Sequence, residues 1–422
     1  MKECAFTRRK PQSLLNCTMA TSAPTSPTPL SNQRSFGFGD RIGLAGPGHL
    51  RALQASGFAP ILAQQSVREL DRLGRTAADV MDAAKRAIAR EGYTGPWGGD
   101  ADHLKTVEAA QQYAQAGFTF FTIDPSDHLG APDRVQSLPE AYADLYLGQS
   151  WETASGQYSF DEAGLKEVVS KFEGVLDHCE MMAKGIAAAC AGRGFEIEVS
   201  VDEAPATTSP LDHLFVALEL KRRGVSFASL APRFVGSFQK GIDYRGDLKT
   251  FESDLQQHVD IARQVGPYKL SIHSGSDKFS IYPIIGRLCG EWLHVKTSGT
   301  SYLEALRVLC VEEKALFREL LTVAFEHFEQ DRHSYELSVT DDDLAQLRQE
   351  ADNPTEATFL DGVAGRQVLH VTYGSLLSND KLSSGQTRRE AVLAALERHD
   401  DLHQQYVERH LKKHLQLLES ER

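Results

Sequence analysis

The sequence predicts an α/β fold: a TIM-type (β/α)8 barrel with loop insertions and a long C-terminal helix. Two observations carry this. From residue 35 onward, short apolar runs alternate with longer amphipathic stretches, which is the signature of parallel strands joined by helical crossovers. No G-x-G-x-x-G follows an early strand, so eight such units favour a closed barrel over a doubly wound sheet.

Residues 1–33 are rich in Ser, Thr and Pro and lack the apolar core of a secretory signal, so they read as a disordered extension. Residues 34–422 then form one catalytic barrel domain. Strands are expected at 39–45, 59–63, 118–124, 196–203, 226–233, 269–273, 292–296 and 367–373, each a short apolar run. Helical periodicity fills the intervals 104–116, 161–190, 210–223, 251–265, 281–289, 302–309 and 313–328, and a final helix is expected over 386–418. The segments 129–159 and 331–365 exceed ordinary connections. They read as insertions that cover the mouth of the barrel.

Composition narrows the function. With 41% hydrophobic and 24% charged residues the composition is that of an ordinary globular protein, and the net charge of -13 argues against a general nucleic-acid binder. No apolar run is long enough to span a bilayer, so no membrane partner is expected. The 6 cysteines (Cys4, Cys17, Cys179, Cys190, Cys289, Cys310) form no C-x-x-C pair, which suits reduced thiols in the cytoplasm. A P-loop, a G-x-S-x-G elbow and an H-E-x-x-H motif are all absent. Self-association into a homo-oligomer stays open.

The expected strand ends collect polar groups, densest where Leu270 and Ile272 run into His273, Ser274, Asp277 and Lys278. Side chains at the C-terminal ends of barrel strands face a common axis, where this architecture places its chemistry. His128, His273, His294 and His370 stand at such ends and can converge on a divalent metal; Zn, Mn, Ni or Co would suit imidazole and carboxylate donors. His103, His213, His258, His327, His399, His403, His410 and His414 fall in polar helical stretches and read as solvated. Asp127 and Glu203 each follow an apolar strand, where partial desolvation raises a carboxyl pKa toward a useful range, and they read as the acid/base pair. Lys240, Lys278 and Lys296, with Arg233, suit an anionic or polyhydroxylated substrate. Lys296 is also the candidate for a Schiff-base lysine.

These residues carry a resemblance. GDRIGLA from Gly39, followed by Pro47-Gly48-His49, IDPSDH from Ile123, SVDE from Ser200, HSGSDKFS from His273 and HVTYG from His370 resemble the tagaturonate epimerase family. The likeness runs from about residue 35 to the C-terminus, and HSGSDKFS is its most specific part. It implies interconversion of D-tagaturonate and D-fructuronate with a divalent metal. Asp127 and Glu203 would be the acid and base, and His128, His273 and His294 the metal ligands, with His370 as the alternative to His294. On the residue pattern itself, apart from the resemblance, Lys240, Asp277, Lys278 and Lys296 are the expected substrate contacts. Some relatives act on tagatose and fructose. Ser237 is a departure, since family members often carry an acid in that segment.

The chemistry of this exchange is restrictive. The inverted carbon lies one beyond the position acidified by the ketone, so α-deprotonation does not reach it. Retro-aldol cleavage and re-addition do. A ketose or uronate isomerase, a class II aldolase and a non-catalytic sugar-binding protein remain as alternatives.

Overall fold

In the computed structural model, which describes residues 26–54, 56–131 and 134–421, eight parallel strands close into a barrel. These are β1 (Ser35–Phe38), β2 (Ala59–Ser66), β3 (Gly98–Leu104), β4 (Phe120–Ile123), β7 (Glu196–Ser200), β8 (Ser229–Ala231), β9 (Lys269–Ile272) and β10 (Leu293–Thr297). A separate antiparallel hairpin joins β5 (Ser150–Thr153) to β6 (Gly156–Ser159). Closure comes from β1, where Gly37 stands opposite Ile61 of β2 on one side and Lys296 of β10 on the other. The barrel is the expected one, but two of its strands are not where the apolar pattern put them.

The first strand is Ser35–Phe38, not 39–45. A Cβ at Gly39 would lie 2.5 Å from Ser298 Cα and from the Thr297 carbonyl oxygen, so the backbone crosses the end of β10 there. The Asp40 carboxylate then accepts the backbone N–H groups of Ile42 (3.1 Å), Gly43 (2.7 Å) and Ala45 (2.8 Å), which winds the segment into a turn. Gly43 sits at φ 89°, open to glycine alone at low cost.

The segment 367–373 is helical, within Val363–Val371 and Tyr373–Leu376. Every residue from Gly365 to Val371 is buried, so no polar face remained to report the helical period. The eighth strand is instead β3, between β2 and β4, whose sequence Gly98-Gly99-Asp100-Ala101-Asp102-His103-Leu104 looks nothing like a core strand, and β10 closes directly onto β1. Two other expectations change. The final helix is broken at His399 into Arg388–Arg398 and Asp400–Leu418. Residues 1–25 of the expected disordered extension lie outside the described residues, but 26–33 pack under the barrel. There Thr28 N–H donates to the Trp97 carbonyl (2.8 Å) and Leu30 N–H to Glu196 (2.8 Å). Leu30 joins Ala59, Ile61 and Phe120 in a small apolar plug.

Outside the strands, the helix layer and the outward strand faces share one core around Phe121, Phe215, Phe251 and Leu270. Each such wholly buried Phe contributes about 1.5–3 kcal/mol. After β10 the chain builds a second, all-helical core from Thr300–Glu312, Lys314–Asp331, Val363–Val371 and Arg388–Arg398. It then returns as Asp400–Leu418, packed against the barrel helices Gly46–Leu53 and Tyr282–Cys289. The first insertion lies on the flank: Tyr142, Tyr146 and Phe160 pack on Phe215, and Trp151 of the hairpin stacks near Tyr146. Among the described residues no helix is long and apolar enough to cross a membrane.

Candidate active site

A cavity of about 260 Å³ opens at the C-terminal ends of the strands. Asp102 and His103 enter it from β3, Asp202 and Glu203 from the end of β7, His273 and Ser274 from β9, and Lys296 from β10. The second insertion supplies Tyr335 and Glu336, whereas no described residue of the first lines it.

Beneath the cavity, Lys296 is caged. Its ammonium lies 2.7 Å from Asp100, 2.8 Å from Asp102 and 2.9 Å from Glu198, and it also touches the Thr122 hydroxyl. Burial opposes this charge, but the carboxylates outweigh it and hold Lys296 well above the ordinary lysine range. A lysine held as an ammonium is not the neutral amine that attacks a carbonyl, so the Schiff-base role does not fit. Burial lifts the Asp100 carboxyl above the usual range against the pull of Lys296.

Two histidines stand above this cage, their rings 5.0 Å apart in edge-to-face contact. His273 places Nε2 2.7 Å from Glu198 and Nδ1 3.1 Å from Asp202. His103, at φ 55°, places Nδ1 3.5 Å from Asp124 and Nε2 3.8 Å from Asp102. Burial disfavours the imidazolium in both. The neighbouring acids, Asp202 and Asp102 foremost, reverse this and raise His273 to about 10 and His103 to about 9. Asp202 is correspondingly held far below the usual carboxylate range, despite its burial, by His273 and His103.

Donor atoms of His103, Asp202 and His273 lie within 4.8 Å of one another, and His103, Asp124 and Glu203 form an adjoining group. The donor set suits a divalent metal in three respects. Imidazole and carboxylate are its ordinary ligands. Each imidazole has its other ring nitrogen beside a carboxylate, Glu198 or Asp124, the arrangement that orients metal-binding histidines. Four carboxylates, Glu198, Asp202, Asp102 and Asp124, also crowd the two imidazoles, and a cation at this spot would offset their charge.

Of the residues expected from sequence, His273, Glu203, Lys240, Lys296 and Arg233 meet around this cavity. The others do not. Asp127 sits on a short 3-10 turn with its side chain 67% exposed, 2.8 Å from Lys105. His128, on the same turn, is exposed and stacks on His178 at 4.0 Å. His294 points into the lower half of the barrel, with Nδ1 2.9 Å from the Ser35 hydroxyl and its ring against Phe120. His370 lies on a helix, so close to Gly299 that a Cβ there would be 2.1 Å from Nε2. Asp277 and Lys278 stand behind the cavity wall. Asp277, at φ 63°, is held by Arg366 (2.9 Å) and His410 (2.6 Å), and its backbone N–H donates to His414. Lys278 donates to the carbonyls of Gln239, Ile242 and Ser276, and burial brings it down to about 7. Ser237 donates to Glu336 at 3.1 Å, so an acid reaches the mouth from the second insertion.

Sequence reasoning passed over Asp100, Asp102, His103 and Glu198. The signal was present as period-two acids, Asp100 and Asp102 in β3 and Glu196 and Glu198 in β7, on strands with a polar inward face; Asp100, Asp102 and Glu198 meet Lys296, while Glu196 turns to Leu30 under the barrel. The histidines read as solvated also include buried ones: His213 and His258 bond to each other through Nδ1 (2.9 Å), and His403 and His414 are fully enclosed.

A model of the tagaturonate epimerase family matches residues 8–418. The chain belongs to this family. It is with that a carbohydrate epimerase. The tagaturonate/fructuronate epimerase of Thermotoga maritima is 42% identical over 396 residues, covering 91% of this chain and 80% of that protein. The native crystal structure of the fructuronate-tagaturonate epimerase of Cohnella laeviribosi superposes with a TM-score of 0.88 at 37% identity, covering 94% of this chain and 83% of that one. A glycerol complex of the same enzyme gives 0.87 at 36% identity, with 94% and 83% coverage.

Proposed function

We propose that this tagaturonate epimerase family member interconverts D-tagaturonate and D-fructuronate by retro-aldol cleavage and re-addition, using a divalent metal. The observation that carries the reading is the His103–Asp202–His273 group on the cavity floor, set directly over the Lys296 cage. The names of the Thermotoga and Cohnella relatives support the substrate pair.

His103, Asp202 and His273 would hold the metal, which when bound would supply Lewis-acid stabilisation for the negative charge that develops as the carbon–carbon bond breaks. Glu203, 35% exposed at the mouth, takes the hydroxyl proton from the carbon to be inverted. The freed oxygen pair becomes the aldehyde C=O, and the pair of the broken C–C bond moves onto the ketone-side fragment. The aldehyde turns, the bond re-forms on its other face, and Glu203 returns the proton to the new alkoxide. Atoms and electrons balance, with one stereocentre changed. The Lys296 ammonium, fixed by three acids, adds a positive charge beneath the ketone-side fragment without reorganising. Neutral tagatose and fructose can follow the same path. A cytoplasmic setting is supported by Cys179, Cys190, Cys289 and Cys310, all buried and unpaired.

The test is a paired assay. Protein stripped by chelator is reloaded with Zn, Mn, Ni or Co and given each of the four sugars, with products resolved by chromatography. The expected result is metal-dependent exchange within the uronate pair and no solvent deuterium at the inverted carbon. Deuterium incorporation there would replace retro-aldol chemistry by a deprotonation route. Free three-carbon products as the main outcome would point to an aldolase, ketose–aldose exchange to an isomerase, and unchanged sugar to a binding protein.

A further inference from the structure

The arginines and lysines that line the cavity are not all answered by acids. Arg41 is paired with Glu69 at 2.9 Å, Arg68 with Glu203 at 3.6 Å, and Lys296 with its three carboxylates. Arg233 and Lys240 are the exceptions. Among the described residues, no carboxylate oxygen lies within 4.0 Å of either.

Their protein partners are neutral. Lys240 donates to the Ser274 hydroxyl, and Arg233 Nη1 donates to the Ala204 carbonyl. Both side chains are half-buried, so each has lost water without gaining a counter-charge. That cost is offset when an anion enters between them. Their anchors also place them. Ser274 follows His273, and Ala204 follows Glu203, so the two cations flank the His103–Asp202–His273 group from the β9 side and the β7 side.

We propose that Arg233 and Lys240 together bind the carboxylate of the substrate and select hexuronates over neutral ketohexoses. This rests on the retro-aldol reading of the same site and gives that reading a further consequence. When the bond breaks, the carboxylate leaves with the aldehyde, as a three-carbon hydroxy-aldehyde acid. That fragment must turn to offer its other face without leaving. A charge held by the protein through both half-reactions keeps it in place, which separates an epimerase from an aldolase that releases its products. Glu336, which lines the same cavity and accepts from Ser237 at 3.1 Å, makes no ion pair with Arg233 or Lys240.

The experiment compares the full-length wild type with K240M, R233M and K240R. Calorimetry on chelator-treated protein gives the affinities for D-tagaturonate and D-tagatose. Steady-state kinetics on metal-reloaded protein, with a coupled dehydrogenase to trap free aldehyde, gives turnover and leakage. The account expects each methionine variant to bind D-tagaturonate at least tenfold more weakly and to lower the uronate-to-tagatose ratio of kcat/KM by at least tenfold. It also expects more free aldehyde released per epimerisation, and K240R restoring most of the ratio. Equal weakening toward both sugars, or no change in either, would overturn the inference. So would a wild type that binds the two sugars equally well. A wild type that discriminates between them but does not epimerise would overturn the reaction reading and leave the carboxylate site standing.

Discussion

Two halves of one barrel treat their histidines in opposite ways. In the upper half, His273 sits between Glu198 and Asp202 and is raised to about 10. In the lower half, His294 faces Ser35, Phe120 and the neighbouring Lys269, and burial lowers it to about 3. Both project from barrel strands and both are almost fully enclosed. What separates them is contact: Glu198 and Asp202 touch the His273 ring directly, whereas Glu198 reaches His294 only through space and is opposed there by burial and by Lys296 and Lys269. Position along the strand therefore decides whether a barrel histidine belongs to the chemistry or to the packing.

The largest effect should come from exchanging the two. His273→Asn removes a donor from the candidate metal group and should lower kcat/KM by about 10³-fold or more, with metal affinity falling in parallel in a competition titration. His294→Gln should cost less than about tenfold in the same assay, its loss appearing in stability. Near-equal losses would erase the distinction between the halves.

Next in size is Lys296→Met. It leaves Asp100, Asp102 and Glu198 without their cation, and breaking a buried charge network in this way costs about 3–5 kcal/mol. Chemical denaturation of the metal-free protein would measure it. A variant as stable as the wild type would mean that the cage contributes nothing to folding.

The same contrast has a pH signature in the metal-free protein. His103 and His273, raised to about 9 and 10, contribute stability that is complete below the ordinary histidine pKa and lost as pH rises through 9–10. His294 and His258, lowered to about 3 and 4, are neutral in the fold, so the unfolded chain gains protons first and stability falls as pH drops below about 6.5. Melting temperatures from pH 4 to 10 should therefore decline at both ends, and H294Q should soften only the acid side. The smallest effect is at the rim. Ser237→Asp would set a second acid against Glu336 and should raise KM for the uronate about threefold, within the range of a partly exposed charge pair.

How much of this was legible beforehand depends on what each residue had to bury. The strands β4, β7, β9 and β10 are apolar on their outward faces, and their periodicity located them to within a few residues. The strand β3 turns Asp100 and Asp102 inward to the Lys296 cage, so apolar periodicity passed over it and took His103 with it. The stretch 367–371 failed for the reverse reason, being buried on all sides between helices of the second core. His273 and Glu203 were found because polar residues follow an apolar run. His128, Asp127 and His294 satisfied the same rule, and only the course of the chain reveals that the first two turn outward and the third points down the barrel.

The most direct test of the account is a crystal of the protein soaked in Mn or Zn and measured at the metal's absorption edge. The account predicts an anomalous peak between His103, Asp202 and His273. A peak at His128 or His294, or no peak with the three side chains in place, would contradict it.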